Sequence, residues 1–254
     1  MKVLISPAKS IDLNSIPEFN EFSTAHFLKE SEQLISKLKK FSVKKLEATM
    51  HISRDLAELN KERYTNWELP LNRTESIVPA AFAFNGEVYK GLDIQSMSEQ
   101  ELLLAQENIR ILSGLYGILR PLDLLYPYRL EMGTKWQITP KQKNLYQFWG
   151  SKLSKFLNAE MDKDEVIVNL ASSEYFKAID RKVLKAKVIT PVFKEFKNGE
   201  YKIVMMYAKH ARGAMARYIV QKNIANVDEL KLYTVDGYSF DVNQSTDEEW
   251  VFTR

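Results

Sequence analysis

The chain has 254 residues, of which 45% are hydrophobic and 27% are charged, a composition typical of a soluble globular protein large enough to bury a full core. No apolar run approaches the roughly 20 residues that a membrane-spanning helix needs, and the apolar run before Ser6 and Pro7 is too short for a signal peptide. Cysteine is absent, which excludes disulfides and thiolate metal sites and fits a reducing compartment. We therefore expect a cytoplasmic protein without a membrane partner.

The first half of the chain alternates short apolar runs with helical stripes of apolar residues. In chain order, the pattern predicts a strand at 3–5, an amphipathic helix over 24–41 and a helical region over 43–60 with a break near Ser53. A long loop is predicted over 66–79, followed by a hairpin in which 82–84 and 88–89 flank Asn85-Gly86. A capping box at Ser98 and Glu101 then predicts the start of a helix that runs to residue 111.

The second half continues in the same mixed way. It predicts a helix over 144–157, a buried strand at 165–171, a hairpin of 188–193 and 201–207 around Asn198-Gly199, a helix over 211–223, a turn at Asp236-Gly237 and a last strand at 250–252. No linker or internal repeat divides the chain. The predicted fold is therefore an α+β (mixed α/β) fold in one domain over residues 1–254.

Charge is unevenly distributed along the chain, although the net charge is only +3. Residues 177–227 contain 12 basic and 3 acidic side chains, a net charge of +9, whereas residues 228–254 contain 2 and 7, a net charge of −5. A basic block of this density is typical of a protein that binds a polyanion. The alternative is a solvated lysine-rich face that the acidic tail neutralises by folding over it.

The 112–136 segment has a composition that neither a free loop nor a helix normally shows. Three glycines, two prolines, four aromatic residues and the cations Arg120, Arg129 and Lys135 stand among leucines in these 25 residues. Glycine and proline interrupt helices and strands, whereas leucines need burial, so packed turns are predicted. Because desolvating an unpaired cation is costly, buried turns that carry three cations predict a functional site.

Polar residues follow the predicted strand at 165–171, beginning with Ser172, Ser173 and Glu174. A strand-to-helix turn of this kind places free backbone N–H groups at the carboxyl end of the strand, where anions bind. The alternative is a serine that only caps the helix, with Glu174 stabilised by the helix dipole.

A second basic group lies at 207–217, where Lys209, His210, Arg212 and Arg217 alternate with small residues. Small residues let a backbone approach a partner closely, and long cations can then reach phosphates. The alternative is a helix that packs through its alanines and leaves its cations in solvent.

Lys9 follows the first predicted strand and is expected to project into a cleft. It could contact a phosphate or act as a nucleophile through a free amine. The spacing Ser6-x-x-Lys9 also occurs in serine acyl enzymes, but that motif needs a helix and Pro7 favours a turn.

Metal and cofactor sites are not predicted. The three histidines, His26, His51 and His210, are far apart in the sequence and show no ligand spacing. An iron store or a redox metal centre is therefore not expected.

Six blocks of sequence, in order along the whole chain, resemble the YaaA family of bacterial peroxide-stress proteins: 5–12 (ISPAKSID), 83–92 (AFNGEVYKGL), 112–133, 145–150 (LYQFWG), 169–177 (NLASSEYFK) and 207–213 (YAKHARG). The resemblance implies a cytoplasmic protein that limits oxidative damage by lowering available iron when peroxide rises. It also implies a single-domain fold particular to the family, with a positively charged cleft and a helix-hairpin-helix-like element that binds duplex and branched DNA.

The helix-hairpin-helix-like element is expected at 111–125, where the glycines of Gly114-Leu-Tyr-Gly117 stand one residue farther apart than in the usual phosphate-binding turn. His210 stands where a lysine is expected, so the charge at this position would depend on pH. The predicted DNA contacts, mainly to phosphates, are Lys9, Gly114, Gly117, Arg120, Arg129, Lys135, Lys177, Lys209, His210, Arg212 and Arg217. Aromatic residues that could stack on unpaired bases at a junction are Tyr116, Tyr126, Tyr128 and Trp136, although their leucine-rich surroundings favour core packing for most of them.

Two other classes of function remain open. An enzyme acting on a nucleotide, a base or a DNA lesion would use Lys9 as nucleophile or proton carrier, Arg120 and Arg129 as anion clamps, and Glu131 or Glu174 as general acid or base. An interaction protein would use its basic face to dock the acidic tail or a partner.

Overall fold

Strands and helices alternate in this computed structural model, which describes residues 1–14, 21–72, 74 and 77–254. The strands are β1 (Lys2–Ile5), β2 (Ser10–Ile11), β3 (Val78–Pro79), β4 (Phe84–Asn85), β5 (Ile109–Ser113), β6 (Gly117–Leu119), β7 (Leu124–Leu125), β8 (Val166–Asn169), β9 (Lys187–Lys197), β10 (Glu200–Lys202), β11 (Ser239–Phe240) and β12 (Glu249–Thr253).

The helices stand mainly between β1 and β5 and after β9. They are α1 (Leu28–Leu38), α2 (Val43–Met50), α3 (Arg54–Asn66), α4 (Ala80–Ala83), α5 (Glu87–Leu92), α6 (Glu99–Asn108), α7 (Leu145–Trp149), α8 (Lys152–Glu160), α9 (Ser173–Phe176) and α10 (Met205–Gln221), with short 3-10 helices at Ile94–Ser96, Val227–Leu232 and Val235–Gly237. No helix within the described ranges is long and apolar enough to cross a bilayer.

The main sheet has the strand order β11-β12-β9-β8-β1-β5-β6, with β10 paired to β9. The five inner strands from β12 to β5 run parallel, and β6 and β11 are antiparallel edges. β1 and β8 are central because their apolar residues are buried on both faces, as continuous β-branched runs require. The mixed α/β prediction is confirmed.

The chain passes over β1 once, and this crossing creates a switch point in the sheet. From β1 it goes to the neighbour β5, then returns past β1 to build β8 on the other side, and continues outward to β9. In open parallel sheets, ligands bind outside the carboxyl ends of the strands where the order reverses in this way. The strand order therefore predicts a ligand-binding site at the carboxyl ends of β1 and β8.

Several local predictions are confirmed. Ser53 accepts a hydrogen bond from the Leu56 N–H and begins α3, which is the expected break in the helical region. Ser98 and Glu101 form the capping box at the start of α6. The Asn198-Gly199 turn joins β9 to β10. Arg73, Glu75 and Ser76 of the predicted long loop lie outside the described residues.

Other predictions are wrong. Residues 82–89 do not form a hairpin: Gly86 is extended, and α4 and α5 bury their apolar residues on either side of it. The 201–207 strand ends at Lys202, and α10 begins six residues before the expected 211. The 144–157 helix is divided into α7 and α8 at Gly150, which has a positive φ.

The acidic tail is built into the sheet and contacts part of the basic block. Residues 249–253 are the strand β12, which pairs with β9 inside the sheet. Glu248 forms an exposed ion pair with Arg181, and Asp236 lies 3.6 Å from His210.

Candidate functional site

Two serines meet at the switch point, one after each central strand. Ser6 follows β1, and its Oγ accepts a hydrogen bond of 2.9 Å from the backbone N–H of Ser172, three residues after β8. The two hydroxyl oxygens are 3.3 Å apart. Tyr89 of α5 donates to the carbonyl oxygen of Ser6. The loop that starts at Ser6 is thus held by three elements at once.

Lys9, Arg129 and Glu131 form a charged cluster beside this loop. The Lys9 Nζ lies 2.7 Å from one Glu131 carboxylate oxygen, and an Arg129 guanidinium nitrogen lies 3.1 Å from the other. The Lys9 side chain is 66% exposed, whereas that of Arg129 is 18% exposed and its Nε atom is buried without a hydrogen-bond partner. One carboxylate therefore lies between two cations, and these three side chains together carry a charge of +1.

Buried tyrosines line the inner side of the cleft. Tyr128 and Tyr175 line it together with Pro7, Ala8 and the charged cluster. Burial raises the pKa of Tyr175, and the charges of Glu174 and Glu131 raise it further. Burial also raises the pKa of Tyr128, whose hydroxyl shares a hydrogen bond with Ser113. These hydroxyls stay neutral, so the cations lie at the rim over an uncharged wall.

Glu174 fixes one side of the rim. Its carboxylate accepts a 2.9 Å hydrogen bond from the backbone N–H of Gly133, and its carbonyl oxygen accepts one from the Tyr146 hydroxyl. Lys135 is exposed two residues beyond Gly133, and the Lys177 ammonium lies 5.2 Å from the Tyr146 ring centroid. Lys135 and Lys177 are therefore placed near Glu174, Lys135 through Gly133 and Lys177 through Tyr146.

The start of α10 lies on the other side of the rim. Gly86, which begins α5, packs against Ala8. The pKa of Glu87 is lowered first by a hydrogen bond from Lys90 and then by the nearby charges of His210 and Lys209. His210 also lies 3.6 Å from an Asp236 carboxylate oxygen.

α5 and α10 touch through their backbones. A Cβ atom at Gly213 would lie 1.8 Å from the Val88 carbonyl oxygen, and one at Gly91 would lie 2.1 Å from the His210 carbonyl oxygen. Only glycine permits this approach. Burial lowers the pKa of Arg212, the next residue along this contact face of α10. The small residues of 207–217 therefore serve helix packing, as in the alternative interpretation, while Lys209 is exposed.

Two predicted contacts lie elsewhere. β6 runs antiparallel to β5, so Arg120 follows Leu119 toward the amino edge of the sheet, where it pairs with Asp123 at 3.2 Å. Arg217 pairs with Asp93 at the far end of α5. The paired anion clamp of Arg120 and Arg129 is therefore not formed, because the β5–β6 hairpin carries the two side chains to opposite edges.

The 111–125 segment is not a helix-hairpin-helix element. It forms β5, a turn, β6 and β7, and its glycines are buried. A Cβ atom at Gly114 would lie 2.2 Å from the Leu130 carbonyl oxygen, and Gly117 packs against Trp149. Gly114 thus holds this segment against the chain that carries Arg129 and Glu131, Gly117 holds it against α7, and neither glycine reaches the surface.

Sequence reasoning missed the Ser6–Ser172 contact and the tyrosine wall. Both serines directly follow predicted strands, which was the available signal, but the strand order that joins them is a long-range property. No three His, Cys, Asp or Glu side chains converge to hold a metal ion in the part of the chain that the structure describes.

The fold and the site define an open α/β protein with a cluster of Lys9, Arg129 and Glu131 near the switch point of a mostly parallel sheet. The family model described as "Peroxide stress protein YaaA" matches residues 1–244. Similar relatives are UPF0246 proteins from Ralstonia pickettii and Flavobacterium psychrophilum, each 48% identical over the whole of this chain and over 99% and 100% of the relative. A third, from Aliivibrio fischeri, is 47% identical and is covered over 98% of its length. The chain belongs to the YaaA family of peroxide stress proteins.

Proposed function

We propose that this protein binds duplex or branched DNA in the cytoplasm during peroxide stress and thereby limits iron-dependent damage to the DNA. The carboxyl-edge cations would contact phosphates, with residues 1–254 acting as one domain. The resemblance stated above supplies the DNA and iron parts of this proposal. Covering DNA is preferred over holding iron because the sequence has no cysteine and only three widely separated histidines.

The observation that carries the proposal is the grouping of exposed cations at one edge of the sheet. Lys135 and Lys177 stand on segments that contact Glu174 or Tyr146, Lys209 lies near Glu87, and none of the three has a carboxylate within 4.0 Å among the described residues. Exposed lysines that are free of ion pairs can neutralise phosphates and release counterions. The buried tyrosines beneath the Lys9 cluster are neutral and add no negative charge.

Salt dependence tests the interface. If about six cations engage phosphates, duplex affinity should fall by about 10³-fold between 50 and 200 mM salt. The double variant Lys135→Ala/Lys177→Ala should reduce the slope of log affinity against log salt by about 2. The matched control, Lys163→Ala/Lys222→Ala, removes two exposed cations from the amino edge and should leave the slope unchanged. A flat salt dependence, or equal losses in both variants, contradicts the proposal.

Glu131→Gln tests the same edge in the opposite direction. Removing the carboxylate between Lys9 and Arg129 adds one positive charge to the rim. Duplex affinity at low salt should rise several-fold, because one more cation faces the phosphates. Fluorescence anisotropy with a labelled duplex measures the change, and an unchanged or weaker affinity places the DNA elsewhere.

A second candidate function is an enzyme acting on a nucleotide, a base or a DNA lesion. The Lys9–Glu131–Arg129 cluster at the switch point favours it, since substrates bind there in many parallel sheets. A nucleophilic lysine is usually desolvated, whereas Lys9 is two-thirds exposed and ion-paired. Borohydride should trap an abasic-DNA adduct that Lys9→Ala abolishes if this function holds; no adduct in the wild type excludes the imine mechanism.

A further inference from the structure

An exposed arm stands beside the cleft. β9 pairs with β8 up to Ile189 and with β12 up to Lys194, and its residues 195–197 continue beyond these pairings, a length of about 10 Å for three extended residues. β10 pairs back onto this end of β9, and residues 203–207 lead into α10. We call residues 195–207 the arm. β9 is two strands away from β1 in the sheet, or about 10 Å.

The arm concentrates the exposed apolar side chains of the molecule. Phe196 and Tyr201 are cross-strand partners with ring centroids 5.2 Å apart, and they are 60% and 43% exposed. The large apolar residues that follow are also exposed: Ile203, Met205, Met206 and Tyr207. An exposed apolar patch of this kind marks a binding surface.

Charge complementarity indicates what the arm contacts. Lys194, Lys197 and Lys202 belong to the same hairpin, and Lys209 follows on α10. Of its two carboxylates, Glu195 is held by Arg254 and Glu200 by Lys202. Aromatic faces among lysines are typical of surfaces that stack bases while their cations hold the backbone.

The aromatic residues of the 112–136 segment do not offer that surface. Tyr116, Tyr128 and Trp136 are buried, and Tyr126 is only partly exposed. The exposed rings lie instead at the end of the arm, continuous with the cationic rim. A strand whose phosphates lie on the rim would turn its bases toward Phe196 and Tyr201.

We propose that the arm binds unpaired bases of a nucleic-acid strand through Phe196 and Tyr201. This inference rests on the proposed function, because the cleft supplies the phosphate contacts. The arm thereby favours single-stranded or distorted DNA over a perfect duplex.

The test compares labelled oligo(dT) with a perfectly paired duplex of the same length. Phe196→Ala/Tyr201→Ala should weaken oligo(dT) binding by about 10-fold or more, since each lost stacking contact is substantial, and should leave duplex binding within about 2-fold. Phe196→Tyr/Tyr201→Phe should retain oligo(dT) affinity. The control Leu232→Ala/Val242→Ala removes two exposed apolar side chains elsewhere and should change neither probe.

Each contrary outcome has a distinct meaning. A wild type that binds neither probe overturns the proposed function and this inference together. A wild type that binds duplex but not oligo(dT), or an alanine variant that loses both equally, overturns the arm's role alone. Analytical ultracentrifugation tests whether the arm instead binds a second copy of the chain. If the wild type is a dimer, the alanine variant is a monomer and the oligo(dT) affinity is unchanged, the arm is a dimer interface and the inference is overturned. Circular dichroism of every variant establishes that it is folded.

Discussion

The 112–136 segment and the arm carry similar residue types but place them in opposite ways. Both combine aromatic rings, a glycine turn and basic side chains. In the 112–136 segment, rings such as Tyr116 are buried and both arginines are paired with carboxylates. In the arm, the rings are exposed and Lys197 has no carboxylate partner among the described residues.

The difference comes from what surrounds each turn. Leucines fill the 112–136 segment, so its hairpin is covered by α7, α8 and the chain after β7. The arm extends past the paired part of β12, and beyond Lys194 it pairs with β10 and bonds to Arg254. A segment rich in cations and aromatic rings can therefore be buried or exposed. Which of the two it is depends on the apolar residues around it and not on its own composition.

The largest expected effect is the difference in stability loss when a glycine is replaced in the turn of each region. Gly114→Ala should destabilise the protein by about 3 kcal/mol or more, because overpacking against the Leu130 backbone cannot relax through a side chain. Gly199→Ala in the arm meets no neighbouring atom and adds only the cost of a positive φ, about 1 kcal/mol. Urea unfolding measures both, and similar losses would contradict the contrast.

The next largest expected effect is on the pH dependence of stability in alkaline solution. Burial raises the pKa of Tyr116 and of Tyr128 above the ordinary tyrosine value. Such groups contribute stability below the unfolded-state pKa of about 10, and that contribution is lost as pH rises from there toward the folded-state pKa, by about 1.4 kcal/mol per pH unit for each group.

The variant Tyr128→Phe should make the alkaline dependence less steep by that amount, whereas Tyr201→Phe in the arm is the matched control. Urea midpoints between about pH 9 and 11 and tyrosinate absorbance report the result. An equal slope in Tyr128→Phe and wild type would show that Tyr128 is not shielded in solution.

Methionine oxidation is the smallest effect in free energy. Met205 and Met206 of the arm are 59% and 56% exposed, whereas Met132 and Met215 are fully buried. Added hydrogen peroxide should convert the exposed pair to sulfoxides first, at a stability cost of about 0.5 kcal/mol or less. Peptide mapping by mass spectrometry follows each site, and oxidation of Met132 at the same rate would contradict its burial.

Local features of the fold were predictable because their causes are local. The buried strands β1 and β8 follow from continuous apolar runs, and the ends of α3 and α6 follow from capping serines. The prediction of a hairpin at Asn85-Gly86 was wrong because the apolar residues around it are buried on every side. Such a run shows no alternation of apolar and polar residues, so its sequence does not distinguish a strand from a short helix.

The candidate site was predictable only in part. Lys9, Arg129 and Glu131 meet as a cluster, and Lys177 lies over the ring of Tyr146, which bonds to Glu174. Arg120 is not in the site, because the turn between β5 and β6 reverses the direction of the chain. The predicted helix-hairpin-helix is absent because residues 117–119 form β6, the edge strand of the sheet, and not a helix. Strand order decides both points, and it depends on contacts between residues distant in sequence.

The backbone contact between α5 and α10 has a consequence for recognition. Gly91 and Gly213 lock the helix that supports the arm onto the helix that holds the Ser6 loop. The Ser6 loop and the start of α10 are therefore tied to one another through α5. Preorganised surfaces lose little conformational entropy on binding, so this connection would lower the cost of binding at either element.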